Sequence, residues 1–230
     1  MTKYIVYHGS VNIVDKPLYG YGKKYNDYGL GFYTTFDKEL AKEWAVDEKI
    51  DGYANAYELD LNGLKVLDLS NYSVLNWIAI LLINRKFDLK NDIAKRGFDY
   101  LVNNYKLPYE DYDVIIGYRA DDSYFTYADS FLNNTISVNS LNEALKLGKL
   151  GIQIVIKSKK AFNQLKYIGS EFADKHIYYP LKEKRRVDAR NDYATKCSRK
   201  VDLNDIFLID LIRGGAKNDS CIWWILYAYY

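Results

Sequence analysis

Two short stretches of this sequence carry residue types that could bind a ligand. Residues 4–10, Tyr-Ile-Val-Tyr-His-Gly-Ser, predict a buried strand that ends in histidine, glycine and serine. Residues 26–35, Asn-Asp-Tyr-Gly-Leu-Gly-Phe-Tyr-Thr-Thr, predict a Gly-x-Gly turn and then a second strand on which Tyr33 points outward. An imidazole and a phenol offer hydrogen bonds and a ring face to a ligand. We therefore predict that the two stretches form a pocket together.

Each of these residues also has a purely structural explanation. A lone histidine such as His8 at the end of a strand is commonly held by a backbone carbonyl. Tyr33 and Trp44, an aromatic on a strand followed by one on a helix, are typical of core packing. Gly29 and Gly31 are individually typical of turns. Under this alternative, replacing His8 or Trp44 would unfold the protein instead of weakening the binding of a ligand.

The elements that must hold the pocket alternate without a regular βαβ rhythm. Strand patterns occur at residues 4–7, 31–35, 53–59, 64–69, 113–118, 153–157 and 165–168, and helix patterns at 38–46, 72–84, 92–105, 124–132 and 140–147. Such an order favours an α+β fold with a mainly antiparallel sheet. The helices at 72–84 and 92–105 are expected to form an insertion between strands. The connection 11–28 has no periodic pattern, and long connections of this kind tend to be functional.

Composition and charge limit the class of protein. The chain has 230 residues, and 49% of them are hydrophobic, which suffices for one domain with a core. Cys197 and Cys221 have no neighbours at metal-ligand spacing, so we expect neither a disulfide framework nor a metal site. No signal peptide or membrane-spanning stretch is predicted, which favours a cytoplasmic protein. The net charge of +2 neither implies nor excludes nucleic acid, and the basic cluster 182–186 is expected to be a solvated helix face.

The character of the chain changes near residue 169. Residues 1–168 contain the strand patterns, whereas residues 169–230 predict a charged helix from about 170 to 200 and then an aromatic end at 222–227. We therefore divide the chain into a domain, 1–168, and a C-terminal helical extension, 169–230. The aromatic end must be buried against the body or a partner, because an exposed patch of that size would be a liability.

The order of the candidate residues resembles a known superfamily. Tyr7-His8-Gly9-Ser10, then residues 28–33, then Trp44 resemble the NAD-binding core of the ADP-ribosyltransferases, in their diphtheria-toxin and poly(ADP-ribose) polymerase branch. More closely, the chain resembles the bacterial DUF3990 family, which is assigned to that superfamily. The likeness rests on residues 27–35, on the strand 113–117 with Ala120-Asp121-Asp122, and on 153–155, and it covers about residues 4–168. It implies two split antiparallel sheets flanked by helices.

The resemblance also implies roles for individual residues. His8 would bond the adenosine ribose hydroxyls, and Gly9 would offer its backbone to the nicotinamide carboxamide and leave room for the ring. Tyr33 and Trp44 would sandwich the cationic nicotinamide ring. Ser10 would be a further hydroxyl partner. The implied NAD-binding set is His8, Gly9, Ser10, Gly31, Phe32, Tyr33 and Trp44.

The catalytic position departs from the superfamily pattern. Most active members place a glutamate on a late strand, where it bonds the 2′-hydroxyl of the nicotinamide ribose and its charge stabilises an oxocarbenium-like centre. This chain offers Gln153, which keeps the hydrogen bond without the charge, so polymer elongation is not expected. Ala41 stands where related enzymes often place a serine. The expected catalytic set is Gln153, His8 and Tyr33.

Three residues after the 113–118 strand are candidates for substrate binding. They are Arg119, Asp121 and Asp122. The two aspartates are most simply explained as a helix N-cap and its neighbour.

The resemblance implies a mono-ADP-ribosyltransferase. Such an enzyme uses NAD as substrate, needs no metal, and moves ADP-ribose to a macromolecular acceptor, protein or nucleic acid, with release of nicotinamide. The analogy extends to a bacterial toxin or defence effector delivered to another cell, and to a cognate neutralising protein. Two alternatives stay open. Water could replace the acceptor, which would make an NAD glycohydrolase, or the domain could bind NAD or a nucleotide without catalysis.

Overall fold

The computed structural model describes residues 3–120, 122–147, 151–197 and 202–214. This part of the chain is an α+β protein with two sheets and eight α-helices, and it confirms the predicted class. The strands are β1 (Lys3–Ser10), β2 (Phe32–Thr34), β3 (Gly52–Asp60), β4 (Val66–Asp68), β5 (Val114–Tyr118), β6 (Ile152–Ile156) and β7 (Leu165–Ala173). The helices are α1 (Lys38–Ala45), α2 (Val74–Asn84), α3 (Asp92–Tyr105), α4 (Asp122–Leu132), α5 (Val138–Leu147), α6 (Lys159–Asn163), α7 (Lys175–Cys197) and α8 (Leu208–Gly214).

The seven strands form one sheet of three strands and one of four. The first has the order β1-β3-β7 with both pairs antiparallel, and the second has the order β2-β6-β5-β4. In the second sheet β4 and β5 run parallel, so the expectation of antiparallel sheets holds for every described pair except this one. The edges of the two sheets meet at a single antiparallel bridge between Tyr7 and Thr35. Beyond that bridge β1 and β2 separate, which opens a cleft.

The two sheets pack face to face around a small apolar core. Alternate residues of β1 and β3, such as Val6 and Tyr57, meet Ile154 and Ile156 of β6. The opposite face of the second sheet packs against a larger cluster built on α2, whose Trp77 and Ile78 are almost fully buried. Helix α2 is apolar nearly all round because it is enclosed by other helices. Helices α2 and α3 lie between β4 and β5, as predicted for the insertion.

The end of the first sheet lies later in the sequence than predicted. Strand β7 continues through residue 168 to Ala173, which is fully buried, so the charged helix begins at Lys175 and not near residue 170. Pro180 lies inside α7. Helix α7 packs against α1, and α8 packs against α3. The aromatic end, 222–227, lies outside the described residues. Within those residues, no helix combines the length and the apolar character needed to cross a membrane.

Candidate functional site

The separation of β1 and β2 opens a cavity of about 960 Å³. Cavities of this size are typical of cofactor sites. All seven residues of the implied NAD-binding set lie in its lining, together with Gln153 and Arg119. The connection between β1 and β2 forms one wall through Val14, Lys16, Pro17, Leu18, Tyr21 and Gly22. The structure therefore brings together residues that are far apart in the sequence.

His8 faces the second sheet from the end of β1. Its Nδ1 lies 2.8 Å from the Tyr33 carbonyl oxygen, and its ring lies 4.4 Å from the Phe32 ring, centroid to centroid. A carbonyl can only accept, so Nδ1 carries the proton and Nε2 is left as the ring atom for a ligand. Burial lowers the pKa of His8, although the bond to Tyr33 opposes that effect. The imidazole is therefore a neutral, fixed hydrogen-bonding group.

Gly9 presents its backbone to the cleft. Tyr7 exchanges two backbone hydrogen bonds with Thr35, of 2.8 and 2.9 Å. Alternate residues of an antiparallel strand direct N–H and C=O to the same edge, so Gly9 directs both toward the cleft and away from β3. The structural reason for a glycine at position 9 differs from the expected one, which was room for the nicotinamide ring. A Cβ here would overlap the Ala41 carbonyl oxygen and lie 2.8 Å from Trp44 Cβ, so α1 occupies the space, not a ligand ring.

Ser10 is used mainly to hold the connection between the strands. Its hydroxyl donates to the Asn12 carbonyl (2.6 Å) and accepts from Asn55 Nδ2 (3.0 Å). Asn55 is fully buried and also accepts the Val14 N–H at 2.9 Å. Tyr57 OH donates to the Val14 carbonyl. Sequence reasoning missed Asn55, whose single polar side chain fixes the start of the cleft wall.

Tyr33 closes its own turn. Its hydroxyl donates to the Gly29 carbonyl (2.6 Å) and accepts the Tyr28 N–H (3.1 Å). Burial raises the pKa of Tyr33, so the phenol stays protonated. Gly29 has φ of +74°, which favours glycine, and at Gly31 a Cβ would lie 2.6 Å from Val155 Cγ1. The hydroxyl is thus structural, and the ring is what Tyr33 offers to the cavity.

Trp44 lines the cleft from α1. Asp37 caps this helix by accepting the N–H groups of Glu39 and Leu40. The Arg119 guanidinium lies over the Trp44 ring, 4.9 Å from its centroid. The indole Nε1 is buried and has no hydrogen-bond partner among the described residues. Arg119, expected to bind substrate, therefore borders the same surface as the expected stacking ring.

Gln153 is hydrogen-bonded to a buried carboxylate. Its Nε2 donates to Asp27 Oδ2 at 3.3 Å. Asp27 is 4% exposed, also accepts the Ala120 N–H (2.8 Å), and pairs with Arg85 Nη1 (3.2 Å). Burial raises the pKa of Asp27, and Ala120, Arg85, Arg119 and Gln153 oppose the rise. Asp27 and Arg85 were not predicted as site residues.

Helix α7 forms the other wall, which the sequence did not indicate. It contributes five lining residues, namely Tyr179, Lys182, Glu183, Arg185 and Arg186. The basic cluster 182–186, expected to be a solvated face, is thus only partly exposed and borders the cleft. Cationic side chains outnumber acidic ones in the lining: Lys16, Arg85, Arg119, Lys182, Arg185 and Arg186 stand against Asp27, Asp47 and Glu183. The cleft therefore favours an anionic ligand.

The remaining expected residues contribute less. Asp121 and the side chain of Asp122 lie outside the described residues, although α4 begins at Asp122. Ala41 is fully buried and is not part of the cavity lining. In the described part of the chain, no cluster of His, Cys, Asp and Glu side chains could hold a metal ion.

The chain belongs to the DUF3990 family, which is described as a protein of unknown function. The family model matches residues 4–167, and the match ends within β7, so α7 and its cleft wall lie outside the matched part. No curated protein matches the chain, and no solved structure matches it either.

Proposed function

We propose that the protein binds NAD in the cleft between its two sheets and transfers one ADP-ribose to a macromolecular acceptor, releasing nicotinamide. The observation that carries this proposal is the common cavity of nine residues inferred from a resemblance to NAD-dependent transferases: the seven of the NAD-binding set, Gln153 and Arg119. They come from β1, β2 and the turn before it, α1, β6 and the segment after β5. The excess of cationic side chains in the lining suits the negative pyrophosphate of NAD.

The cleft offers complementary groups to the nicotinamide and a ribose of NAD. Outward-facing N–H and C=O groups at Gly9 suit a carboxamide, which needs one acceptor and one donor. Rings at Tyr33 and Trp44 suit the cationic nicotinamide. His8 Nε2 suits a ribose hydroxyl. Cleavage of the N-glycosidic bond would then depend mainly on positioning and on stabilising the positive charge that develops on the ribose.

Incubation with NAD labelled on adenine, together with a cell lysate, tests this function. We expect label on a macromolecule and an equal amount of nicotinamide in solution. Free ADP-ribose without labelled macromolecule would establish an NAD glycohydrolase instead. His8→Ala should abolish the label. The chain has one other histidine, His176, which is exposed on α7 and outside the cavity lining, so His176→Ala is the matched control.

A binding module without catalysis is the second candidate, and Gln153 favours it. An amide supplies no negative charge to an oxocarbenium-like centre. Calorimetry with NAD alongside measurement of nicotinamide release separates the two. Tight binding with no release over hours would establish the module, and absence of binding would contradict both candidates.

A further inference from the structure

We infer that Asp27 is a positioning residue: its carboxylate fixes the Gln153 side-chain amide so that Gln153 Oε1, an acceptor, is the atom offered to a ligand hydroxyl. The inference rests on the proposed function, since the ligand hydroxyl in question would belong to the ribose of NAD. It assigns a role to a residue for which the resemblance implies none. It also explains how a glutamine can be held ready for a ligand.

The hydrogen bonds around Asp27 determine the orientation of the amide. An ionised carboxylate accepts hydrogen bonds and donates none. The Gln153 atom that meets Asp27 Oδ2 at 3.3 Å must therefore be Nε2, which leaves Oε1 on the other side of the amide. Without Asp27, the two ends of the amide would be nearly equivalent in shape, and either could face the ligand.

The Gln153 side-chain oxygen can accept a hydrogen bond from a ligand. Oε1 is buried, and no described residue donates to it. A buried acceptor without a partner destabilises the protein, and a ligand hydroxyl would recover that free energy on binding. Gln153 is 6% exposed and lies on the interior strand β6, paired with Gly117 of β5. Strand pairing therefore fixes its backbone, and the orientation of its side-chain amide is determined separately.

Asp27 is itself held on several sides. The Ala120 N–H donates to Oδ2 at 2.8 Å, and Arg85 Nη1 lies 3.2 Å from Oδ1. Burial of a carboxylate is unfavourable unless it is compensated, and this burial raises the pKa of Asp27. Because the Arg85 charge offsets much of its field, Asp27 acts mainly by orienting Gln153 and only weakly as a distant negative charge.

Substitutions at position 27 should separate the orientation of the Gln153 amide from the charge of Asp27. The Ala120 N–H and Gln153 Nε2 donate to the same oxygen, Asp27 Oδ2. In Asp27→Asn one side-chain oxygen can still accept from both donors, so the Gln153 amide should keep its orientation without the charge. In Asp27→Leu no acceptor remains, so the Gln153 amide can turn and present its nitrogen to the ligand.

Two measurements test the inference. In ¹H–¹⁵N spectra, the Gln153 side-chain NH₂ signals should move with the ionisation of Asp27 in a pH titration, and Asp27→Asn should remove that movement. Steady-state nicotinamide release should fall about tenfold in kcat for Asp27→Leu, with KM changed less, and Asp27→Asn should keep most of the wild-type kcat. Asp113→Leu is the control, because Asp113 also accepts a backbone N–H, that of Lys65, but lies outside the cleft lining.

The outcomes distinguish this inference from the proposed function. Gln153 NH₂ signals that stay unchanged while Asp27 ionises would overturn the inference, whatever the rate of nicotinamide release. So would an Asp27→Leu variant that loses stability like Asp113→Leu but keeps the wild-type kcat. A wild-type protein that neither binds NAD nor releases nicotinamide would overturn the proposed function alone, because the titration would still show whether Asp27 orients Gln153.

Discussion

Arg185 of α7 donates two hydrogen bonds, each 2.8 Å long, to the two carboxylate oxygens of Glu43 of α1. The Glu43 side chain is 6% exposed and the Arg185 side chain 26%. Two-point pairing of this kind fixes both distance and orientation. It ties a helix outside the family-matched residues to the helix that carries Trp44, so α7 is an integral wall of the cleft.

Breaking this pair should loosen α7. We expect Arg185→Met to lower the free energy of unfolding by about 2 kcal/mol, because Glu43 would stay buried after losing two charge-assisted hydrogen bonds. Glu43→Gln should cost less, since an amide still accepts one of the bonds. Urea unfolding of both single variants and the double variant gives the coupling energy.

The control for this prediction lies one residue further along α7. Arg186 pairs with Glu183 on the same helix, with side-chain exposures of 42% and 30%. Exposed pairs of this spacing contribute about 0.5 kcal/mol or less, so Arg186→Met should change stability little. Equal losses for Arg185→Met and Arg186→Met would show that the Glu43 pair does not hold the helix.

Much of the cleft could be predicted because its residues lie on short strands and a capped helix. His8 and Tyr33 lie in apolar strand patterns that also contain glycines, and Trp44 lies on the helix capped by Asp37, so the local pattern determines their elements. Gln153 lies within a clear strand pattern. The sequence could not show that α1 leaves no room for a side chain at Gly9. That contact depends on how a helix packs on a sheet.

The missed residues act through contacts between distant segments. Arg85 follows an apolar helix, and nothing in its neighbourhood indicates that it meets Asp27. The basic cluster 182–186 has the composition of a solvated face, and only its packing on α1 brings it to the cleft. Asp27 did leave a signal: it is the single charged residue in the block 26–35, where a buried carboxylate needs a partner.

Replacing Gly9 should affect stability more than a ligand-based explanation predicts. We expect Gly9→Ala to lower the free energy of unfolding by about 2 kcal/mol, because the new methyl group would overlap the Ala41 carbonyl oxygen and force α1 away. Gly20→Ala is the control: no atom lies within 4 Å, and its φ of +80° alone should cost about 1 kcal/mol. Chemical denaturation without ligand decides, and equal midpoints for the two variants would contradict this account of Gly9.

Stability should decrease in mild acid partly because of His8. Burial lowers the pKa of His8 in the folded protein, whereas the unfolded chain titrates near about 6.5. The unfolded chain therefore binds the proton more readily, and the contribution of neutral His8 is complete above about pH 6.5 and is lost as the pH falls toward the folded-state pKa. Denaturation midpoints from pH 7 to pH 5 should fall less for His8→Asn than for the wild type. His176→Asn should follow the wild type, and a parallel decline in all three proteins would sink the prediction.

Substitutions of Trp44 distinguish most directly between a role in ligand binding and a role in core packing. It is partly exposed in the cleft, unlike Trp77, which is 1% exposed in the helical core. We expect Trp44→Ala to weaken NAD binding about tenfold through loss of the ring face, while Trp44→Phe keeps most of the affinity. Trp77→Ala should instead cost about 3–5 kcal/mol of stability. Calorimetry with NAD, paired with thermal unfolding of the free variants, distinguishes the two effects: if Trp44→Ala unfolds as readily as Trp77→Ala, the indole of Trp44 is part of the core, and the stacking role passes to Tyr33 alone.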